Sequence, residues 1–399
     1  MADSLQSRPI ERESASAGNI RKAFGLVAFA ASSVFAFTVV LSACVYYLYG
    51  PDVDFVSFWA AGRLTLGGHP SVAYDIHAHR AVEQTVAHIG GLMPFPYPPP
   101  FLFFVSVFAW AAYPFAYLLW ISATAGLYFA ATRRFTAPRF AFAHPAAIVN
   151  AMIGQNGFLT SGIFLFGISR VAAAPFTAGL ILGALVIKPQ LGVLIPVALL
   201  ASRQWRAIGG AALSSLAVAA AAALVFGLDS YRGFFAITQQ YAAFMAADRW
   251  DWAQQASVFG FFRLLGAPQP LALTMQGMAA FAAAAVTWRA WARGSEQREA
   301  ILAAATLLVP PYVFAYDSLL LVLPLTMLLG DGERPWRAAI VWVCLAAPLA
   351  GYFGLYPGPN TVPVAAILSL WWLAGPDRKP ATAAHLQSAR GLSAKLNSR

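Results

Sequence analysis

The residues with most chemical promise lie in a stretch from Gly50 to Asp75, GPDVDFVSFWAAGRLTLGGHPSVAYD. It follows a long apolar run and puts two carboxylates, Asp52 and Asp54, where that run ends. A carboxylate held between lipid headgroups and water could take a proton from a substrate that arrives on a lipid. A plainer role is open as well: Asp54 could cap the following helix by accepting from its early backbone N–H groups. Asp52-Val53-Asp54 is also a carboxylate pair that could hold a divalent ion, although Mg²⁺ usually needs substrate phosphates in addition. A second charged group is Lys188, the one lysine inside an apolar run. An ammonium at that depth is costly without a partner or water, so a phosphate or a loop carboxylate is its expected counter-ion. Snorkelling to the surface is the structural alternative. Tyr316-Asp317 follows a break at Pro310-Pro311. Asp317 either caps the next helix or faces a pocket.

The elements that must position these groups are membrane helices. The chain has 399 residues, 59% hydrophobic and 11% charged, with mean hydropathy +0.64. Soluble domains carry about a quarter charged residues, so the composition describes an all-α polytopic membrane protein. The net charge of +10 does not point to nucleic acid, because the arginines fall between spans and in the tails, as positive-inside sorting requires. Cys44 and Cys344 lie in apolar runs and suggest no disulfide framework.

Residues 1–22 read as a polar cytoplasmic tail, 23–374 as the membrane domain, and 375–399 as a second, basic cytoplasmic tail. Ala23–Tyr49 is long enough to span a bilayer. Two outer loops are expected, at residues 50–97 and 228–268. In the first, Phe55, Phe58, Trp59, Gly62 and Leu66 recur at helical spacing, which predicts an amphipathic helix along the membrane surface. His69, His77, His79 and His88 read as solvated loop residues. The loop ends in Phe95-Pro96-Tyr97-Pro98-Pro99-Pro100, a rigid entry to a helix. Phe101–Thr132 is too long for one upright span, and Pro114 divides it. Ala141–Ile153 and Phe158–Ile168 are parted by Gly154-Gln155-Asn156-Gly157, either a tight turn or the polar lining of a pocket. Ala178–Ala201 reads as a single span around Lys188. Residues 98–201 cross either three or five times, and the sequence leaves that open. Nothing in the chain matches a phosphate-cradling loop with its lysine, HExxH, GxSxG or a cysteine cluster.

One ordered set of features has a family resemblance. It consists of Asp54 after the first span, Gly68 and Tyr74-Asp75 in the aromatic stretch, YPPP before the second span, GQN, Lys188-Pro189 in a span, and Tyr316-Asp317 after a prolyl break. In that order, from about residue 50 to about residue 330, the chain resembles glycosyltransferase family 87, the polyprenyl-phosphate-mannose-dependent α-mannosyltransferases. The resemblance implies a GT-C-like bundle of about 10–12 transmembrane helices with outer loops and amphipathic helices, in a bacterial inner membrane. It implies an active site facing the periplasm, a polyprenyl-phosphate sugar donor, a lipid or glycan acceptor, and inversion at the anomeric carbon. The family's catalytic aspartate falls on Asp54. Some relatives carry histidine where this chain has Tyr316-Asp317. A single displacement needs a base for the acceptor hydroxyl and cationic support for the departing phosphate. Asp54 fits the first role; Lys188 fits the second, with Arg63 a weaker candidate because it lies nine residues from Asp54, on the far side of one helix. Asp52, Tyr74, Asp75, Tyr97, Gln155, Asn156, Tyr316 and Asp317 complete the expected substrate-binding set. No cofactor is expected beyond the divalent ion that DxD could hold. Two other readings compete: a lipid or solute transporter of the cell envelope, for which broken helices and an intramembrane lysine also speak, and a non-catalytic assembly factor.

Overall fold

The computed structural model describes residues 7–49, 53–87, 93–248, 250–331, 334–352 and 354–375. Asp52 and His88 lie outside them. The described residues are helical, with no strand beyond one isolated bridge between Gln255 and Phe314. The chain is an all-α polytopic membrane protein.

Helix α1 runs Ser7–Tyr49 and α2 Phe55–Leu66, followed by the short α3, Ile76–Glu83. Next come α4 (Pro100–Ala109) and α5 (Tyr113–Thr132), then α6 (Pro138–Phe142), α7 (Pro145–Ile153) and α8 (Gly157–Ile168). A broken region follows with α9 (Pro175–Gly183) and α10 (Leu194–Ala201). The second half holds α11 (Trp205–Phe226), α12 (Leu228–Ala246), α13 (Val258–Leu264), α14 (Gln269–Ala292), α15 (Arg298–Thr306), α16 (Val322–Gly330), α17 (Trp336–Tyr352) and α18 (Val362–Ala374). Four helices are long and apolar enough to cross a membrane: α1 over Gly18–Leu48, α5, α11 and α14. Seven shorter apolar helical stretches accompany them. Half of α5 is buried in protein, against 11% of α1 and of α11. So α5 is central, while α1 and α11 present most of their surface outward.

Proline and glycine set the breaks. Pro100 and Pro114 occupy the first turns of α4 and α5, where a missing N–H leaves nothing unsatisfied. Ala178–Ala201 is not the single span that its hydropathy suggests. Pro189 disfavours helical geometry at the residue before it, and Lys188 adopts φ −147°, ψ 71°. The chain passes through two short 3₁₀ turns, Ala184–Ile187 and Pro189–Gly192, before α10 resumes.

These breaks decide how the pieces pack on one another. Helix α4 packs along α2, with Gly62 against Val105 and Ala109. Helix α5 starts at the Asp54 end, where Tyr113 meets Tyr46 and Phe55. It ends at Arg133, and the neighbouring Arg134 shares the Phe166 ring with Arg170. Phe140 stacks on Phe24, near Arg21. These arginines therefore gather at the end of α1 away from Asp54. Helices α7–α8 and α9–α10 are two hairpins of short helices. The two arms of the first are about 14 and 18 Å long, and its tip meets the tip of the second at GQN and Lys188-Pro189.

Helix α2 departs from the surface position expected of it. Every residue from Phe55 to Gly62 is buried. Phe58 packs edge-on to Phe101 and Trp120, and Trp59 Nε1 donates to Ala111 O at 3.1 Å. Aromatic spacing that would suit a membrane surface serves a protein core instead, because α4 and the preceding loop cover the second face.

Candidate active site

The GQN turn organises the site. Helix α7 ends at Gly154 in the left-handed region, φ +68°, a conformation that glycine adopts without strain. Asn150 holds the turn from below: its Oδ1 accepts from Gly157 N at 2.8 Å and its Nδ2 donates to Tyr316 O at 3.1 Å. Gly157 must be glycine here, since a Cβ would come within 2.5 Å of Tyr316 O. The start of α8 is thus pressed against the segment carrying Asp317.

From this turn two adjacent side chains reach in different directions. Gln155 Nε2 donates to Asp54 Oδ2 at 2.9 Å, while its Oε1 accepts from Tyr97 OH at 3.2 Å and from Asn156 N at 2.9 Å. Asn156 Oδ1 accepts from Lys188 Nζ at 3.1 Å. Lys188 Nζ also pairs with Asp317 Oδ1 at 2.5 Å and lies 4.7 Å from the centre of the Tyr316 ring. The lysine and Asp317 side chains are 4% and 1% exposed, so the charge is neutralised inside the protein and snorkelling is ruled out. Asp317 Oδ2 accepts from Phe314 N at 3.2 Å, so this residue caps the turn that it begins, one of the two roles that the sequence left open.

Asp54 is partly exposed. It precedes α2, yet its side chain makes no capping bond; its carboxylate turns to Gln155 instead. Tyr97 is itself held, because Tyr74 OH donates to Tyr97 O at 3.0 Å. Burial raises the Tyr74 hydroxyl well above its ordinary pKa, which keeps it a donor. Asp54, Tyr74, Tyr97, Gln155, Asn156, Lys188, Tyr316 and Asp317 therefore form one connected set. Two expected members stand apart. Asp75 caps α3 by accepting from Ala78 N at 2.8 Å, and Arg63 is exposed with its guanidinium 5.7 Å from the Trp59 ring centre. Asp52 lies outside the described residues.

Sequence reasoning passed over two groups. Asn150 is the one amide side chain inside Ala141–Ile153, and the rule that a buried amide needs partners would have singled it out. His79 is not solvated. It is buried against Ser57 Oγ at 3.2 Å and Glu83 Oε1 at 3.2 Å, and the i,i+4 spacing of His79 and Glu83 was the available signal.

The arrangement holds a carboxylate at a protein–solvent boundary and, one hydrogen-bonded turn away, a buried cation with its counter-ion. That combination can accept a proton on one side and support developing negative charge on the other. No curated protein and no solved structure matches the chain. Residues 95–311, more than half of it, match the family model for glycosyltransferase family 87. The match contains Tyr97, Gln155, Asn156 and Lys188; Asp54 and Asp317 flank it. The chain belongs to glycosyltransferase family 87.

Proposed function

We propose that this membrane glycosyltransferase moves a sugar, mannose in the simplest case, from a polyprenyl-phosphate donor to an acceptor hydroxyl, on the periplasmic side and with inversion. The observation that carries the reading is the pair of bonds from consecutive residues, Gln155 to Asp54 and Asn156 to Lys188. In the proposed step Asp54 removes the acceptor hydroxyl proton as that oxygen attacks the anomeric carbon. The bond from the anomeric carbon to the phosphate oxygen breaks, and its electron pair leaves with the phosphate. The leaving group is already anionic, so it needs no general acid. It needs positive charge or donors nearby, and Lys188 is the nearest buried cation in the connected set. Its pairing with Asp317 tempers that charge in the resting state, so the phosphate would compete with Asp317 for the ammonium.

Two further features support the reading. A groove of about 400 Å³ opens between the Asp54 ends of α1 and α5, walled by Ala43, Cys44, Tyr47, Leu48, Pro114, Phe115 and Leu118. Such a largely apolar wall suits an isoprenoid tail. Arg21, whose guanidinium reaches Gly330 O, marks the opposite end of α1, which is consistent with a cytoplasmic arginine end and an outward Asp54.

The test is Asp54→Asn in purified protein supplied with a polyprenyl-phosphate sugar. Loss of about 10²–10⁴-fold in turnover is expected for removal of a general base. Turnover at the wild-type rate would take Asp54 out of the chemistry.

A further inference from the structure

A row of aromatic rings leads away from Lys188 and has no part in the proposed step. Phe314 stacks on Tyr316 at 5.2 Å with the planes 15° apart, and Tyr312 meets Phe314 edge-on at 4.9 Å. Trp250 follows at 5.8 Å from Tyr312, and Tyr241 at 5.3 Å from Trp250. Tyr316 is buried, but Tyr241, Trp250, Tyr312 and Phe314 are each half-buried and keep part of their surface open.

The row is anchored. Ala256 N donates to Val313 O at 2.7 Å, next to the bridge between Gln255 and Phe314. The fully buried Gln255 amide, oriented to satisfy both neighbours, accepts from Trp250 Nε1 at 2.9 Å and donates to Val313 O at 3.2 Å. Two distant segments, 241–256 and 310–316, are thereby locked into one surface.

Its chemistry selects an occupant. A pyranose has one face of C–H bonds that packs on an aromatic ring and an edge of hydroxyls that needs polar partners. This row offers both: four partly open rings and the phenol groups of Tyr241 and Tyr312. An isoprenoid would want a nearly apolar wall, and the groove between α1 and α5 provides one in which Tyr47 is the single phenol. The row also lies within the field of the connected set. Burial first, then the neighbouring Tyr241 and Tyr97 and the Asp54 and Asp317 carboxylates, push the Tyr312 hydroxyl far up from its ordinary pKa.

We propose that Tyr241, Trp250, Tyr312 and Phe314 form a stacking subsite for a sugar ring of the acceptor, so that the acceptor is a glycoside and not a bare lipid alcohol. The proposal rests on the transferase reading above.

The experiment measures binding without turnover, by calorimetric titration of the full-length protein in nanodiscs. The probes are an α-linked mannobiose, as a soluble sugar, and farnesyl monophosphate, as a sugar-free lipid phosphate. Trp250→Ala and Tyr312→Ala should each weaken mannobiose binding about tenfold. Tyr312→Phe keeps the ring and should stay within about threefold on the same scale. Farnesyl monophosphate affinity should not move. Should either alanine variant fail to fold, Tyr241→Leu makes the same test at a ring outside the pinned bridge. Mannobiose binding that is absent from the wild type, or indifferent to these changes, overturns the subsite. A loss confined to farnesyl monophosphate overturns it too, by assigning the rings to the donor. The two proposals separate on different readouts: a live Asp54→Asn enzyme defeats the transfer mechanism, whereas the stacking result is read from the ring variants with Asp54 intact and stands or falls without turnover.

Discussion

Replacing Lys188 by methionine leaves the Asp317 carboxylate buried with its cation gone. The pair is almost wholly enclosed, at 4% and 1% side-chain exposure, and close, at 2.5 Å. Removing one partner of such a pair costs about 3–5 kcal/mol, mostly for the stranded charge. Asp317→Asn strands the ammonium instead and should cost a similar amount, while the new amide oxygen can still accept from Phe314 N. In the double variant no charge is stranded. The cost that remains is the lost hydrogen bond from the Lys188 ammonium to Asn156, about 1.5–3 kcal/mol. The double variant should therefore be more stable than either single one, with a coupling free energy above ~3 kcal/mol. The assay is a double-mutant cycle of SDS-titrated unfolding in bicelles, with the exposed pair Arg232–Asp229 as a control whose loss should barely move the midpoint. A loss under ~1 kcal/mol for Lys188→Met would refute the claim that the pair lies in a low-dielectric interior. Turnover separates structure from chemistry. If Lys188 supports the phosphate, the double variant regains stability and stays inactive; wild-type turnover would leave the lysine a structural role alone.

Three more outcomes are expected. Gln155→Leu should fold but lose turnover by about 10²-fold, because the Asp54 carboxylate is no longer aimed, and Gln155→Glu should be worse, since it sets a second carboxylate against the first; single-turnover rates decide between them. Gly157→Ala should destabilise by about 1–3 kcal/mol through its clash with Tyr316 O, read as a lower thermal midpoint. The Trp252 indole and the Arg263 guanidinium hold the Asp248 carboxyl below its ordinary value of 3.8. Its stabilisation is therefore present above that value and lost as pH falls through the lower, folded one. Asp248→Asn should lower the melting midpoint at neutral pH and narrow its gap to the wild type as the pH falls below about 4.

Much of this architecture could be read from residue order. Pro114 and Pro310-Pro311 act on their own neighbours, so the breaks they cause are visible without a fold; Pro189 acts in the same way, but the apolar run around it reads as one span. Lys188 was conspicuous because an ammonium in an apolar run demands a partner. Its partner was less visible: Asp317 is 129 residues away, and nothing local distinguishes it from a cap. Helix α2 misled for a related reason. An aromatic stripe says that one face is covered, but whether lipid or protein covers it depends on where α4 folds back. His79 looked solvated because a polar loop is usually exposed; the burial follows from α3 packing on α2, and the spacing to Glu83 was its one local sign. Asn150 escaped because Tyr316 is 166 residues away and Gly157, seven residues on, meets it only once the GQN turn has formed.

The GQN turn has one more implication. Gln155 and Asn156 are consecutive, so a single planar peptide links them and keeps their Cα atoms about 3.8 Å apart. Each grips one chemically distinct centre. Breathing of the surrounding bundle can translate or tilt this unit, but it cannot easily stretch the spacing between its two grips. On the proposed mechanism one peptide unit thus tethers base and cation, and slow changes in bilayer thickness or lateral pressure should alter access to the site before they alter its internal alignment.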